Sequence, residues 1–211
     1  MVVKKRIRIR AALLCPLLLV LSLGWAGPRA QRAAASRLPG AQASSPTIDF
    51  QTIQLPIPSS EQDRAYLGLS GTGHFRVGQL KSRVLLIEVF SFYCIHCQRT
   101  APRMNEVFQE IQKRPAWREN VKMIGIGVGN SPLEVKSYKE KFQVPFPLFP
   151  DQSMNTCKAM GIEATPTFIG VRRNETGLGE RFYFEEGEFP DALKFLEKVI
   201  RLAGLEQEGQ K

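Results

Sequence analysis

Cys94-Ile95-His96-Cys97 is the stretch whose residue types and spacing can do chemistry. Two thiols three residues apart can close a small disulfide ring. Where such a pair opens a helix, unpaired N–H groups and the positive dipole end favour a thiolate on the first cysteine. His96 adds a titratable neighbour that is positive when protonated. Haem attachment also uses two cysteines at this spacing, but it needs a histidine directly after the second, where Gln98 stands. A zinc site would need two more ligands from His74, His96 and Cys157, and the sequence offers no second close pair. An inert structural disulfide is the remaining use. Redox exchange is the favoured reading, with no metal and no other cofactor required.

The elements that must position the pair follow from apolar patterning. Val84 to Phe90 is a nearly continuous apolar run, as in a central strand buried on both faces. Residues 94–113 then repeat Ala101, Met104, Val107, Phe108 and Ile111 at helical spacing, which places the cysteines at a strand-to-helix junction. Val121 to Val128 reads as a second buried strand. Ser131-Pro132 starts a helix that runs to about Phe142. Phe146 to Phe149 suggests a short strand, and Ser153 to Met160 a short helix closed by Gly161. Thr167 to Val171 and Arg181 to Phe184 read as a hairpin around residues 174–177. A last helix, about Asp191 to Ala203, would bury Leu193, Leu196, Val199, Ile200 and Ala203. This alternation predicts an α/β sandwich around a mixed sheet.

Three further features stand around the pair. Glu88 lies six residues before Cys94 within an otherwise apolar strand, Pro102 lies five after Cys97, and Thr165-Pro166-Thr167 leads into the hairpin. With the cysteines, these residues resemble the thioredoxin superfamily. Over roughly residues 66–203 the resemblance is closest to the TlpA/ResA-like branch of extracytoplasmic redoxins, because the 68 residues between Cys97 and Pro166 leave room for that branch's inserted strand-helix unit. The resemblance implies a thioredoxin-like α/β/α sandwich with a mixed central sheet and that insertion. It implies a buried acid at Glu88, a kinked active-site helix at Pro102, and a cis-proline segment, Thr165-Pro166, that binds an extended substrate. The plainer readings are an edge residue reaching solvent, a first-turn proline and a trans proline entering a strand.

Exchange chemistry then assigns roles. Cys94 would be the nucleophile and Cys97 the resolving thiol. Glu88 would take and return the proton of Cys97, its pKa raised by burial. His96 would help to set the redox poise. The branch resembled contains reductants, and a reductant of protein disulfides supplied by a membrane electron donor is the leading expectation. The string Phe90 to Cys97 is also similar to that of DsbA-type oxidants, whereas the reductants carry proline at the position of His96. A thiol peroxidase of the peroxiredoxin type would need a proline in the approach to its cysteine, and Phe90-Ser91-Phe92-Tyr93 offers none. A redox-silent module using the same groove as a chaperone surface is a further alternative, opposed by the intact cysteine pair. Cys157 reads as a small core residue or a second thiol, and His74 has no evident partner.

Charge excludes a simple nucleic-acid binder. Of 29 Lys+Arg against 20 Asp+Glu in 211 residues, eight basic residues and no acid fall in residues 1–48, which leaves the remainder close to neutral. A positive stretch from Lys4 to Arg10 precedes an apolar run, Ala11 to Ala26, so residues 1–26 read as a signal peptide or a membrane anchor. Residues 27–48 read as a flexible linker, 49–204 as the folded domain and 205–211 as a polar tail. The domain would then work outside the cytoplasm, in a bacterial periplasm or cell envelope, on protein thiols and disulfides, with membrane contact through the N-terminal segment.

Overall fold

The computed structural model describes residues 53–174 and 179–206. The segments read as signal peptide, linker and most of the polar tail lie outside these residues, as do residues 175–177 of the predicted turn. The central sheet holds five strands: β3 (Val84–Phe90), β4 (Val121–Val128), β5 (Leu148–Asp151), β6 (Thr167–Arg173) and β7 (Gly179–Glu186), in the order β5-β4-β3-β6-β7. β4 is parallel to β3 and to β5, whereas β6 is antiparallel to β3 and to β7. Parallel neighbours need crossovers, and these are α2 (Ile95–Lys113) with α3 (Pro115–Asn120), then α4 (Pro132–Phe142). The fold is the thioredoxin-like α/β arrangement that the resemblance implied.

All seven residues of β3 are buried, as its apolar run demands, and strand alternation sorts them between two cores. Val84, Leu86 and Phe90 join a cluster with α2, α4 and the C-terminal helix α6 (Ala192–Ala203), while Leu85, Ile87 and Val89 join a second cluster on the other face. That second face is covered by β1 (Gln54–Pro56), α1 (Glu61–Leu67) and β2 (His74–Arg76), none of which the sequence reading anticipated, together with α5 (Asn155–Ala159). Glu88 follows the alternation onto the first face, between Gly125 of β4 and Phe168 of β6.

The predicted boundaries shift where local chemistry requires it. β5 begins at Leu148 rather than Phe146, because Pro145 and Pro147 carry no N–H for the ladder; the Pro147 carbonyl still accepts from Gly125 N–H at 2.9 Å. α5 begins at Asn155 because Met154 adopts a left-handed conformation, φ 60°. The hairpin strands are longer than read, and α3 is additional. In α6 the buried face is Ala192, Phe195, Leu196, Val199, Ile200 and Ala203, with Asp191 as N-cap. Leu193, expected on that face, is 46% exposed, since one residue of rotation brings Ala192 inward instead. Leu205, read as the start of the tail, is buried, and its N–H bonds to the Ile200 carbonyl after the left-handed Gly204 cap.

Candidate active site

Cys94 is the N-cap of α2, as a strand-to-helix junction dictates. Its Sγ accepts the Cys97 N–H at 3.2 Å, so the sulfur takes the place of a capping oxygen at the positive end of the helix. The same thiol donates to the Thr165 carbonyl at 3.4 Å. Thr165–Pro166 is a cis peptide at the entry to β6, which brings this segment against the cysteine. Cys94 is half-buried; Cys97, one turn in, is fully buried, and burial foremost pushes its thiol up, with the contact to Cys94 adding to the shift. Both thiols are free.

On the sheet face against which Cys97 packs, Glu88 is 1% exposed, and its Oε1 has no hydrogen-bond partner among the described residues. Desolvation pushes its carboxyl up to about 8. Glu88 is therefore a buried acid and not an edge residue reaching solvent. Pro102 lies inside α2 and offers no N–H to the Gln98 carbonyl, while the Gln98 side chain donates to the Phe92 carbonyl at 2.8 Å.

His96 stands in a charged cluster on the exposed side of α2. Glu188, from the loop between β7 and α6, accepts from Arg99 Nε at 3.0 Å and Nη2 at 2.6 Å, and its Oε1 lies 2.6 Å from His96 Nδ1. Arg103 approaches the other oxygen at 3.8 Å. Arg99 first, then His96, holds the Glu188 carboxyl down at about 2. Arg99 also interacts electrostatically with Cys94 and so sets a permanent cation near that sulfur. His96 thus shares the Glu188 carboxylate with Arg99.

The sequence reading missed Glu188, Arg99, Asn130, Glu134 and Tyr138. Asn130, fully buried in the loop before α4, accepts the Phe92 N–H on Oδ1 at 2.8 Å. Glu134, held by the Ser131 capping box, accepts the hydroxyl of Tyr93, the residue before Cys94. Tyr138 is fully buried, stacks on Phe90 with ring centroids 4.3 Å apart, and donates to the Cys97 carbonyl at 2.9 Å. Its phenol is pushed up by burial, then by the charges that Glu88, Cys97 and Cys94 can carry. A tyrosine within a run of charged residues gave no local signal of this role, although its i+4 spacing from Glu134 pointed to the same helix face.

Cys157 is not brought to the pair. It is buried in the core on the opposite face, its N–H bonded to Asp151 Oδ2 at 2.8 Å, as suits a small core residue. His74 is exposed on β2. Among the described residues, no three His, Cys, Asp or Glu side chains stand close enough to share a metal ion, and no helix is long and apolar enough to cross a membrane.

Comparison with known proteins places this geometry in context. The thiol-disulfide oxidoreductase ResA of Geobacillus thermodenitrificans is 25% identical over 118 residues, 56% of this chain and 64% of that protein. ResA of Halalkalibacterium halodurans is 25% identical over 99 residues, 47% of this chain and 52% of that protein. The chain thus spans less than two thirds of the length of the relatives it matches. Among solved structures, a Chlorobium tepidum protein named for DsbE-type thiol:disulfide interchange superposes with TM-score 0.56 at 15% identity, covering 74% of this chain and 96% of that one. A secreted Mycobacterium tuberculosis disulfide oxidoreductase superposes with TM-score 0.50 at 15% identity, covering 62% and 90%. At that identity the two structures speak for the fold alone. Residues 57–183, more than half of the sequence, match the AhpC/TSA family, and the chain belongs to it.

Proposed function

We propose that this chain is an extracytoplasmic thiol-disulfide oxidoreductase that reduces protein disulfides through Cys94 and Cys97. The observation that carries the reading is the asymmetry of the pair: a half-exposed sulfur capping a helix and a fully buried thiol on the face that holds a buried acid. The Cys94 thiolate attacks one sulfur of a substrate disulfide. A Cys94–substrate disulfide forms, the substrate S–S bond breaks, and a substrate thiolate leaves and takes a proton. Cys97 gives its proton to the Glu88 carboxylate and attacks Cys94 Sγ, closing the Cys94–Cys97 disulfide and expelling the second substrate thiolate, to which Glu88 returns the proton. Two electrons pass from the dithiol to the substrate. With its carboxyl at about 8, Glu88 is ionised in a fraction of molecules at neutral pH, so the resolving step accelerates as pH rises toward that value.

Thr165 and Pro166 form the substrate-facing wall, and exposed Tyr93 and Ile95 form the rim beside Cys94. Residues 1–26 deliver the domain, residues 49–204, across the membrane or anchor it there, and a membrane partner returns electrons to the disulfide. The Cys97 N–H bond to Cys94 Sγ favours the reduced pair and supports the oxidant reading as second. The reduction potential separates the two: the reductant reading expects a value nearer the roughly −270 mV of thioredoxin, the oxidant reading one nearer the roughly −120 mV of DsbA. The activity itself is tested by dithiothreitol-driven insulin reduction. Cys94→Ser abolishes turnover, and Cys97→Ser accumulates a mixed disulfide through Cys94. Trapping through Cys97 in the Cys94→Ser protein alone would reverse the assignment.

A further inference from the structure

We infer that Tyr138 is a positioning residue for this exchange, its buried hydroxyl fixing the backbone of Cys97 so that the resolving sulfur stays in line with Cys94. The inference rests on the thiol-disulfide reading above. Cys97 is held on both sides of its Cα. Its N–H donates to Cys94 Sγ at 3.2 Å, and its carbonyl accepts the Tyr138 hydroxyl at 2.9 Å. With both flanking peptide units tied, the backbone fixes the direction in which Sγ leaves. The helix alone constrains this turn less than usual, because Pro102 withholds the N–H that would bind the Gln98 carbonyl.

The Tyr138 ring is itself immobilised. It stacks on Phe90, two residues beyond Glu88 on the same sheet face, and packs against Phe142 at 4.7 Å between centroids. Tyr138 therefore ties the strand that carries the acid to the helix that carries the thiol. Its neighbours on the same side extend the grip: Asn130, Glu134 and Tyr138 follow one another at intervals of four and hold Phe92, Tyr93 and Cys97 respectively. Attack by Cys94 on a substrate does not need the orientation of Cys97, whereas release of the mixed disulfide does.

The test uses the full chain as wild type, Tyr138→Phe and Val135→Ala. Val135 is a buried residue of the same helix with no hydrogen bond to the cysteines, so its truncation controls for lost packing. Reduced protein is mixed with oxidised glutathione, quenched in acid, and the Cys94–glutathione adduct followed by mass spectrometry. Tyr138→Phe keeps the ring stack and forms the adduct at the wild-type rate, but clears it about five- to tenfold more slowly, the scale of one net hydrogen bond. Val135→Ala loses thermal stability and clears it at the wild-type rate. Clearance by Tyr138→Phe at the wild-type rate, or by Val135→Ala as slowly as by Tyr138→Phe, overturns the positioning role alone. A wild type that forms no adduct and reduces no insulin overturns the exchange reading and this inference with it.

Discussion

Replacing Glu88 by Gln removes a buried group that couples this core to pH across the neutral range. Desolvation holds the folded-state carboxyl at about 8 against an ordinary value of 4.5. Between those values the folded chain keeps a proton that the unfolded chain has released. Stability is therefore complete below about 4.5, falls as pH rises, and levels off above about 8. At about 1.4 kcal/mol per unit, the loss amounts to about 5 kcal/mol when complete and about 3 kcal/mol at pH 7. For a chain of this size, that neutral-pH loss corresponds to a change in Tm of about 6–12 °C. Gln keeps the shape and carries no titrating proton. Thermal unfolding of the reduced wild type and of Glu88→Gln, at intervals from about pH 4.5 to about pH 8.5, gives a difference curve in which the other titrations cancel. The difference should be small at the acid end and favour Glu88→Gln by about 3 kcal/mol at pH 7. Parallel curves through the whole window would refute the argument, since they would mean that Glu88 ionises as a solvated carboxyl does.

The cluster around Glu188 acts at the other end of the pH scale. Its carboxyl is held at about 2, so its contribution is present above about 4.5 and disappears as pH falls toward 2; Glu188→Gln should lose that acid limb in the same unfolding series. At Gly127, an added Cβ would lie 2.8 Å from Val135 Cγ2 and 3.1 Å from Asn130 Oδ1. Gly127→Ala should therefore cost about 1–3 kcal/mol in urea unfolding and loosen the Asn130 bond to Phe92, visible as faster amide exchange at Phe92. On α6, Leu196→Ala should cost about 2–5 kcal/mol whereas Leu193→Ala changes stability by less than about 0.5 kcal/mol, a contrast that equal losses would contradict.

The junction at Cys94 was legible because its signals are local. An apolar run of strand length, a helical repeat and a close cysteine pair lie within thirty residues of one another, and each needs only its neighbours to be read. Glu88 was legible for the opposite reason: an acid inside a run that must be buried has nowhere else to go. Glu188 gave no such sign, because it reaches His96 and Arg99 only after β7 and α6 have packed. Tyr138 was hidden by its surroundings, since its helix has only Val135 and Tyr138 buried among charged residues. The rotation of α6 was missed because spacings of three and four fit two adjacent phases, and only the packing of Phe195 against Phe168 and Phe189 selects one. Short elements before Val84 stayed unread because three-residue strands carry too few positions to show a period.

The order of strands in the sheet also sets the order in which the site can be assembled. Val84 pairs with Val121 on one side and with Arg172 on the other, so the second partner arrives more than twice as far along the chain as the first. Contacts of such sequence separation form late and slow the folding of the whole domain. The cysteine pair and its helix belong to the early half; the Thr165 carbonyl, Glu188 and α6 belong to the late half. Cys157 falls between them, and in the finished protein it is sealed on the far side of the sheet from Cys97. That separation does not exist while β6 is still undocked, when Cys94, Cys97 and Cys157 share one incomplete domain. Should the domain fold in an oxidising compartment, as proposed above, folding becomes a race between sheet closure and a wrong disulfide to Cys157, and a Cys157→Ala or Cys157→Ser chain would run without that competitor.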